Sequence, residues 1–374
     1  GVVAGPYRLH FPAFHASSYI VPVTANPARF AFATVVPLPR WKRTLVTPAL
    51  AVAGPQLAAV VDRAVGFTVR RPGATPLFAW LFDGEPGEAV VARSWRGRRA
   101  GLVLFGFRGA ESNPSVVAKA GEADREAYLL RRLSRTAEAA EARVPRPLSL
   151  QAVGRHHVML QTPVAGRPAS LVLGDDPRRL PRIIASLHEW LRRWNDATVR
   201  SAIVTDGLLE REILSPARRL VPVLDEGTTY IDWLRRRCEQ ALGHTVPLVA
   251  AHNDLTMWNV LLDDDSVGVV DWVSAREQAL PLGDYYYSLV DAVAATDRYK
   301  DRHAAFRRCF DGKEAARKGE RSPFFRELTP AVQDLCFHAC WLHHAANEQR
   351  CDDPANGRPF LRTAQSLAAA VLRA

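Results

Sequence analysis

The segment His252-Asn253-Asp254-Leu255-Thr256-Met257-Trp258-Asn259 sets an aspartate and an asparagine five positions apart, and the run Val267-Gly268-Val269-Val270 ends in a second aspartate, Asp271, followed by Trp272. Three oxygen-bearing side chains in this order match the needs of phosphoryl transfer from a nucleoside triphosphate. Magnesium is a hard cation that takes one or two oxygen ligands from a protein and the rest from phosphate and water, a role that suits Asn259 and Asp271. Asp254 is then left to accept the proton of an attacking hydroxyl and hold it in line with the γ-phosphate. Aspartate and asparagine beside strands are usually turn-formers, and an isolated match of this kind arises by chance. The further match at Asp271 lifts this one above that background.

The same chemistry requires a cation on the α- and β-phosphates, which in kinase-like sites is a strand lysine paired with a glutamate on the next helix. Ser115-Val116-Val117-Ala118-Lys119 is a β-rich run ending in lysine, and residues 122–133 follow with helical spacing of Ala123, Ala127, Leu130 and Leu133. Only five lysines stand among 49 basic residues. A compact ammonium kept on a strand where arginine is the default points to a site that needs a point charge. Glu126 is the first candidate for its partner, and Glu122, one turn earlier, the second.

Several elements must position these groups. Residues 247–251 and 260–262 read as short buried strands, 263–266 as a turn, and 267–270 as the returning strand that delivers Asp271. Upstream, residues 89–95 and 102–107 are β-like, and the turn between them, residues 96–101, would cover the phosphates through backbone N–H groups, with Arg98 among the arginines that add positive charge. Residues 147–153 and 157–162 are two more expected strands. Residues 161–164, from Gln161 to Val164, form the expected hinge to the base. The hinge acts through its backbone and its side chains do not discriminate, so ATP and GTP both stay open. From Pro177 the pattern turns helical, with Leu180, Ile183, Ile184, Leu187, Trp190, Leu191 and Trp194 on one stripe that reads as core. Residues 228–242, with Thr228 as cap, 285–287, 335–346 and 361–372 continue the helical part.

On these residues the chain resembles the aminoglycoside phosphotransferase and choline kinase family of small-molecule kinases. Its loop is similar to the family's H-G-D-F-x-P-W-N form, met in polysaccharide-biosynthesis kinases. The resemblance runs from about residue 89 to the C-terminus. It implies an α+β, two-lobed protein-kinase-like fold, with a small antiparallel-sheet nucleotide lobe (86–165) and a larger, mainly helical catalytic and acceptor lobe (166–374). It further implies Asp254 as catalytic base, Asn259 and Asp271 as Mg2+ ligands, and Lys119 with Glu126 as the phosphate-positioning pair. Asp284, in Pro281-Leu282-Gly283-Asp284, matches a helix-borne carboxylate that braces the catalytic loop, and His252 reads as a loop anchor. Asn253 stands where the family has glycine and Met257 where it has proline, which puts loop rigidity in question. No D-F-G or A-P-E follows, so the segment that presents a peptide to a protein kinase is missing and a small-molecule hydroxyl acceptor is expected.

Residues 1–85 are proline-rich, with one strand-like run at 19–23 and helical stretches near 28–36 and 57–65, and form an expected accessory segment without visible chemistry. The length of 374 residues suggests about two domains, and 48% hydrophobic with 24% charged residues is ordinary globular composition. Five cysteines, an odd number, argue against a disulfide scaffold and for a reducing cytoplasm. A metal site at Cys336, Cys340 and the nearby histidines is set aside because free cysteine is usually buried. No apolar run has the length of a membrane span, and no secretion signal is visible. The net charge of +10 raises polyanion binding as a rival, but the arginines form no dense run and nucleic acid is not expected as the main partner. A pseudokinase is disfavoured because no named catalytic position is substituted. The positive charge favours a neutral or anionic sugar-type acceptor over an aminoglycoside antibiotic, although Asp291, Asp297, Glu348, Asp352 and Asp353 could form a local acidic pocket. Oligomeric state is left open.

Overall fold

A computed structural model describes residues 8–11, 17–22, 25–36, 68–70, 79–82, 87–96, 99–109, 111–153, 156–264, 266–310, 328–350 and 358–371. The first lobe is an antiparallel sheet of eight strands: β1 (Arg8–Phe11), β2 (Ser17–Pro22), β3 (Thr68–Arg70), β4 (Gly87–Arg96), β5 (Arg99–Arg108), β6 (Val116–Ala120), β7 (Pro147–Val153) and β8 (His156–Gln161). Their order across the sheet is β3-β1-β2-β4-β5-β6-β8-β7. Strands of the expected accessory segment extend this sheet: β2 pairs with β4 and carries β1 and β3 on its far side. An open edge at β4 would leave backbone donors and acceptors unpaired, and β2 satisfies them. The helical stretch expected at 28–36 exists as α1 (Ala25–Phe30), continued by a π-helical turn (Ala31–Val35), whereas 57–65 lies outside the described residues.

The β4–β5 ladder runs unbroken from Gly87↔Arg108 to Arg96↔Arg99. Arg96 and residues 99–101, expected in the phosphate-covering turn, are therefore strand, because continued cross-strand pairing outweighs the weak turn tendency of the glycines and arginines. Gly97 and Arg98 lie outside the described residues. Strand alternation gives the sheet two faces. Leu104, Val116, Ala118, Val158 and Leu160 pack with Leu81 and Phe82 on one side. Lys119 and Met159, paired in register, point to the other, where Met159 meets the apolar stripe Ala123, Ala127, Leu130 and Leu133 of α2 (Ala123–Ala139).

The second lobe is mainly helical: α3 (Ala169–Asp175), α4 (Leu180–Thr198), α5 (Gly227–Ala241), α6 (Gly283–Thr296), α7 (Arg302–Phe310), α8 (Pro330–Arg350) and α9 (Pro359–Val371). Short strands interrupt it: β9 (Arg167–Pro168), β10 (Arg200–Ile203), β11 (Thr245–Ala251), β12 (Val260–Asp263), β13 (Ser266–Val269) and β14 (Arg276–Ala279). The aromatic stripe of α4 is core, as its spacing implies. Trp190 stacks on Trp194 at 5.4 Å, and both rings pack against Trp272. The Trp194 indole N–H donates to the Ala250 carbonyl at 2.6 Å, which ties α4 to the strand that precedes the catalytic loop. Truncating so large a buried ring costs about 3–5 kcal/mol. Thr228 does not cap α5: the helix begins at Gly227, so Thr228 already lies inside its first turn, and residue 227 itself must be glycine, since a Cβ there would meet the Val221 carbonyl oxygen at 2.6 Å.

Candidate active site

Lys119 is the junction between the lobes. Its Nζ lies 2.5 Å from Glu126 Oε2 on α2 and 2.5 Å from Asp271 Oδ1 at the end of the β12–β13 hairpin. The partner is Glu126 and not Glu122, because Glu126 faces inward with 2% exposure. Its second oxygen accepts the Trp272 N–H at 3.0 Å. Glu126 thus fixes both the lysine and the residue after Asp271. Burial alone would lower the lysine pKa, but the Asp271 and Glu126 carboxylates outweigh it and raise the pKa, so the ammonium is charged. The Glu126 carboxyl is raised above its ordinary value, because burial, with Asp271 beside it, outweighs the lowering by Lys119.

Asp271 sits at φ +68°, a left-handed conformation that a non-glycine residue adopts only when its surroundings impose it. Flanking bonds impose it here. The Val270 N–H donates to the Asn259 carbonyl at 2.9 Å, the Val270 carbonyl accepts from His252 Nε2 at 3.0 Å, and the Trp272 N–H is held by Glu126.

The loop that carries Asp254 hangs from Asp284. The two carboxylate oxygens of Asp284 accept the backbone N–H groups of His252 (2.6 Å) and Asn253 (2.8 Å), the bracing that the resemblance implies. His252 is an anchor as expected: Nε2–H donates to Val270 O, and Nδ1 accepts the Asp254 N–H at 3.3 Å. Burial lowers its pKa, which agrees with this neutral tautomer. The loop's two departures from the family form have physical explanations. Asn253 has φ +61°, the region where glycine is at ease and asparagine is among the few tolerated residues, and its amide adds a bond to Ser274 O at 3.1 Å. Met257 donates its backbone N–H to Asp291 Oδ2 at 2.6 Å, a bond that proline cannot make. Rigidity lost with the ring is replaced by a hydrogen bond.

Asn259 Nδ2 donates to the Asp254 carbonyl at 2.8 Å and lies 3.4 Å from Asp254 Oδ2. With its nitrogen so engaged, the amide presents Oδ1 as an acceptor. Asn259 Oδ1 and the Asp271 carboxylate, 41% exposed, form an all-oxygen donor set. Two carboxylates against one ammonium in the Lys119 cluster leave one negative charge uncompensated. Both features fit a divalent hard cation held with phosphate oxygens.

Gln161 ends β8 opposite Val117, on the face that carries Lys119, and is 4% exposed. Its buried Oε1 has no hydrogen-bond partner. A buried unpaired acceptor is costly and usually marks a missing partner, so this side chain, for which no role is legible in the sequence, fits a donor on a bound base. Val164 packs over Gly268, where any Cβ would collide with it. Arg143 secures this hinge by bonding Ala165 O at 3.2 Å, Asp263 Oδ2 at 3.1 Å and Ser266 Oγ.

The acids that could have formed a local acidic pocket are engaged within the fold where they are described. Asp291 is buried and paired with Arg302 at 2.6 Å, with Tyr299 OH donating to it at 2.9 Å. Asp297 pairs with Arg308, and Glu348 accepts the Leu361 N–H. Asp352 and Asp353 lie outside the described residues. Asp291 is instead a second brace of the catalytic loop. Its seven-residue spacing from Asp284, two turns along one face of α6, was the available signal. His338 accepts from Tyr230 OH at 2.5 Å and Cys336 is buried, so both are core residues. The four described cysteines are free, and no described helix is long and apolar enough to cross a membrane.

The model of the phosphotransferase enzyme family (APH) matches residues 69–317, which is 249 of the 374 residues. No curated protein sequence matches the chain. Among solved structures, a thermostable mutant of aminoglycoside phosphotransferase APH(4)-Ia in ternary complex with ADP and hygromycin B aligns with a TM-score of 0.53 at 14% identity, over 80% of this chain and 98% of that one. The apo form of such a mutant aligns with a TM-score of 0.53 at 14% identity, over 79% and 97%. At this identity the likeness is one of fold.

Proposed function

The chain belongs to the phosphotransferase enzyme family and is an ATP-dependent small-molecule kinase, and we propose that it moves the γ-phosphoryl group to a hydroxyl of a sugar or sugar derivative. The observation that carries the site assignment is the Lys119–Glu126–Asp271 cluster, closed at 2.5 Å across two lobes. Lys119 offers its charge to the α- and β-phosphates, and Glu126 keeps it in place. Gln161 and Val164 border the base. Asn259 Oδ1 and Asp271 would hold Mg2+, which supplies charge neutralisation on the phosphates. Asp254, on a loop fixed by Asp284 and Asp291, takes the proton of the acceptor hydroxyl as the oxygen attacks.

The sugar-type acceptor is supported by charge. A chain of net charge +10 repels a polycation at long range, and Asp291, Asp297 and Glu348 are engaged within the fold rather than available to ammonium groups. An aminoglycoside acceptor is the second reading, and the hygromycin B in the APH(4)-Ia complex favours it.

An acceptor screen with labelled ATP, run over neutral sugars, anionic sugars and aminoglycosides, tests the proposal. Asp254→Asn should lower turnover on the true acceptor by about 10²- to 10⁴-fold while nucleotide affinity stays within a few fold. Near-normal kcat in that variant would remove Asp254 from the role of base, and phosphorylation of aminoglycosides alone would overturn the sugar assignment.

A further inference from the structure

α1 and its π-helical continuation lie on the face of the first-lobe sheet that carries Lys119. Phe30 packs on Phe105 and Phe107 at ring-centroid distances of 5.3 and 5.4 Å. Ala28, Ala31, Phe32 and Val36 are buried beside Val90 and Phe107. Register places this contact: Phe105 pairs with Val117, and Val117 pairs with Gln161. The row Phe105–Val117–Gln161 is two residues, or roughly 6.6 Å, along from the row Val103–Lys119–Met159. If Lys119 marks the phosphates, Phe30 lies at the base end of the cleft. The same segment reaches the other lobe, where Arg167 of β9, just beyond the hinge, donates from Nε to the Ala33 carbonyl at 3.4 Å and pairs with Asp175 at 3.3 Å.

We infer that residues 25–36 are a strap that joins the two lobes across the base end of the nucleotide cleft and sets the affinity for the nucleoside part of the substrate. The inference rests on the assignment of Lys119 to the phosphates. An aromatic anchor on the sheet and a backbone carbonyl held by the opposite lobe limit how far the cleft can open, and closure slows nucleotide escape. The strap contributes nothing to phosphate contacts, so its effect depends on the presence of a base.

The test compares wild type, Phe30→Ala and Arg167→Ala in the full chain, with magnesium ADP and magnesium tripolyphosphate as calorimetric probes. Each variant should bind ADP roughly five- to tenfold more weakly, since Phe30→Ala forfeits two aromatic contacts, while tripolyphosphate affinity changes less than twofold. Phe30→Leu, which keeps apolar bulk, should restore most of the ADP affinity and guards against a folding defect. Unchanged ADP affinity, tighter ADP binding, or equal losses for both probes would overturn the strap. Failure of wild type to bind either probe would instead overturn the nucleotide site on which it rests.

Discussion

Replacing Glu126 with glutamine tests the electrostatic centre of this enzyme. In the wild type one carboxylate serves two donors, Lys119 Nζ at 2.5 Å and the Trp272 N–H at 3.0 Å, at a position 2% exposed. A glutamine has one carbonyl and can satisfy one of them, and its NH2 group must then face the other donor. Lys119 keeps Asp271, so the buried ammonium is not orphaned and the full 3–5 kcal/mol of a broken buried pair is an upper limit. Loss of one charge-assisted hydrogen bond at about 1.5–3 kcal/mol, with a poorly satisfied donor beside it, gives about 3 kcal/mol of destabilisation at pH 7. Urea unfolding of both proteins, with equal slopes, would read this from the midpoints. Magnesium ADP affinity should fall about tenfold, since Lys119 loses the group that aims it. A change below about 1 kcal/mol with normal ADP affinity would mean that Glu126 carries its own proton and that the ion-pair reasoning is wrong.

Asp271→Ala should weaken Mg2+-dependent nucleotide binding more than Asn259→Ala, because it removes a charged ligand instead of a neutral one; calorimetric Mg2+ titrations that give equal losses would contradict the assigned roles. Lys119→Ala should weaken ATP binding at both low and moderate salt, whereas a polyanion-binding chain would keep ATP affinity and show steep salt dependence with DNA. His338 is buried against Tyr230, and burial depresses its pKa to about 3. Its contribution is therefore fully present above the unfolded value of about 6.5 and is lost as pH falls toward 3, which removes roughly 3 kcal/mol by pH 4.5. Denaturation midpoints at pH 7.5 and 4.5 should show this loss, and His338→Gln should reduce it; an equal loss in both proteins would assign it elsewhere.

The chemical order of this chain is legible in its sequence because short-range geometry fixes it. Asp254 and Asn259 share one tight loop, Asp271 ends a hairpin that starts directly after Asn259, and Lys119 closes a strand just ahead of an amphipathic helix. The stripe from Ile183 to Trp194 is equally local, since helical periodicity alone aligns it. Partners distant along the chain required the fold. Glu126 and Glu122 are both near Lys119 in sequence, and only the packing of α2 against β8 turns Glu126 inward. Asp291 reads as an exposed acid until α6 buries it under Met257, Tyr299 and Arg302. The left-handed turn at Asp271 follows from bonds to Asn259, His252 and Glu126, none of them sequence neighbours. The N-terminal strands have an unremarkable, proline-rich sequence and join the first-lobe sheet because β4 offers an edge. Spacing encodes what a few residues of backbone can hold in place, whereas burial and charge pairing depend on which surfaces meet, and that is settled only when the whole chain is packed.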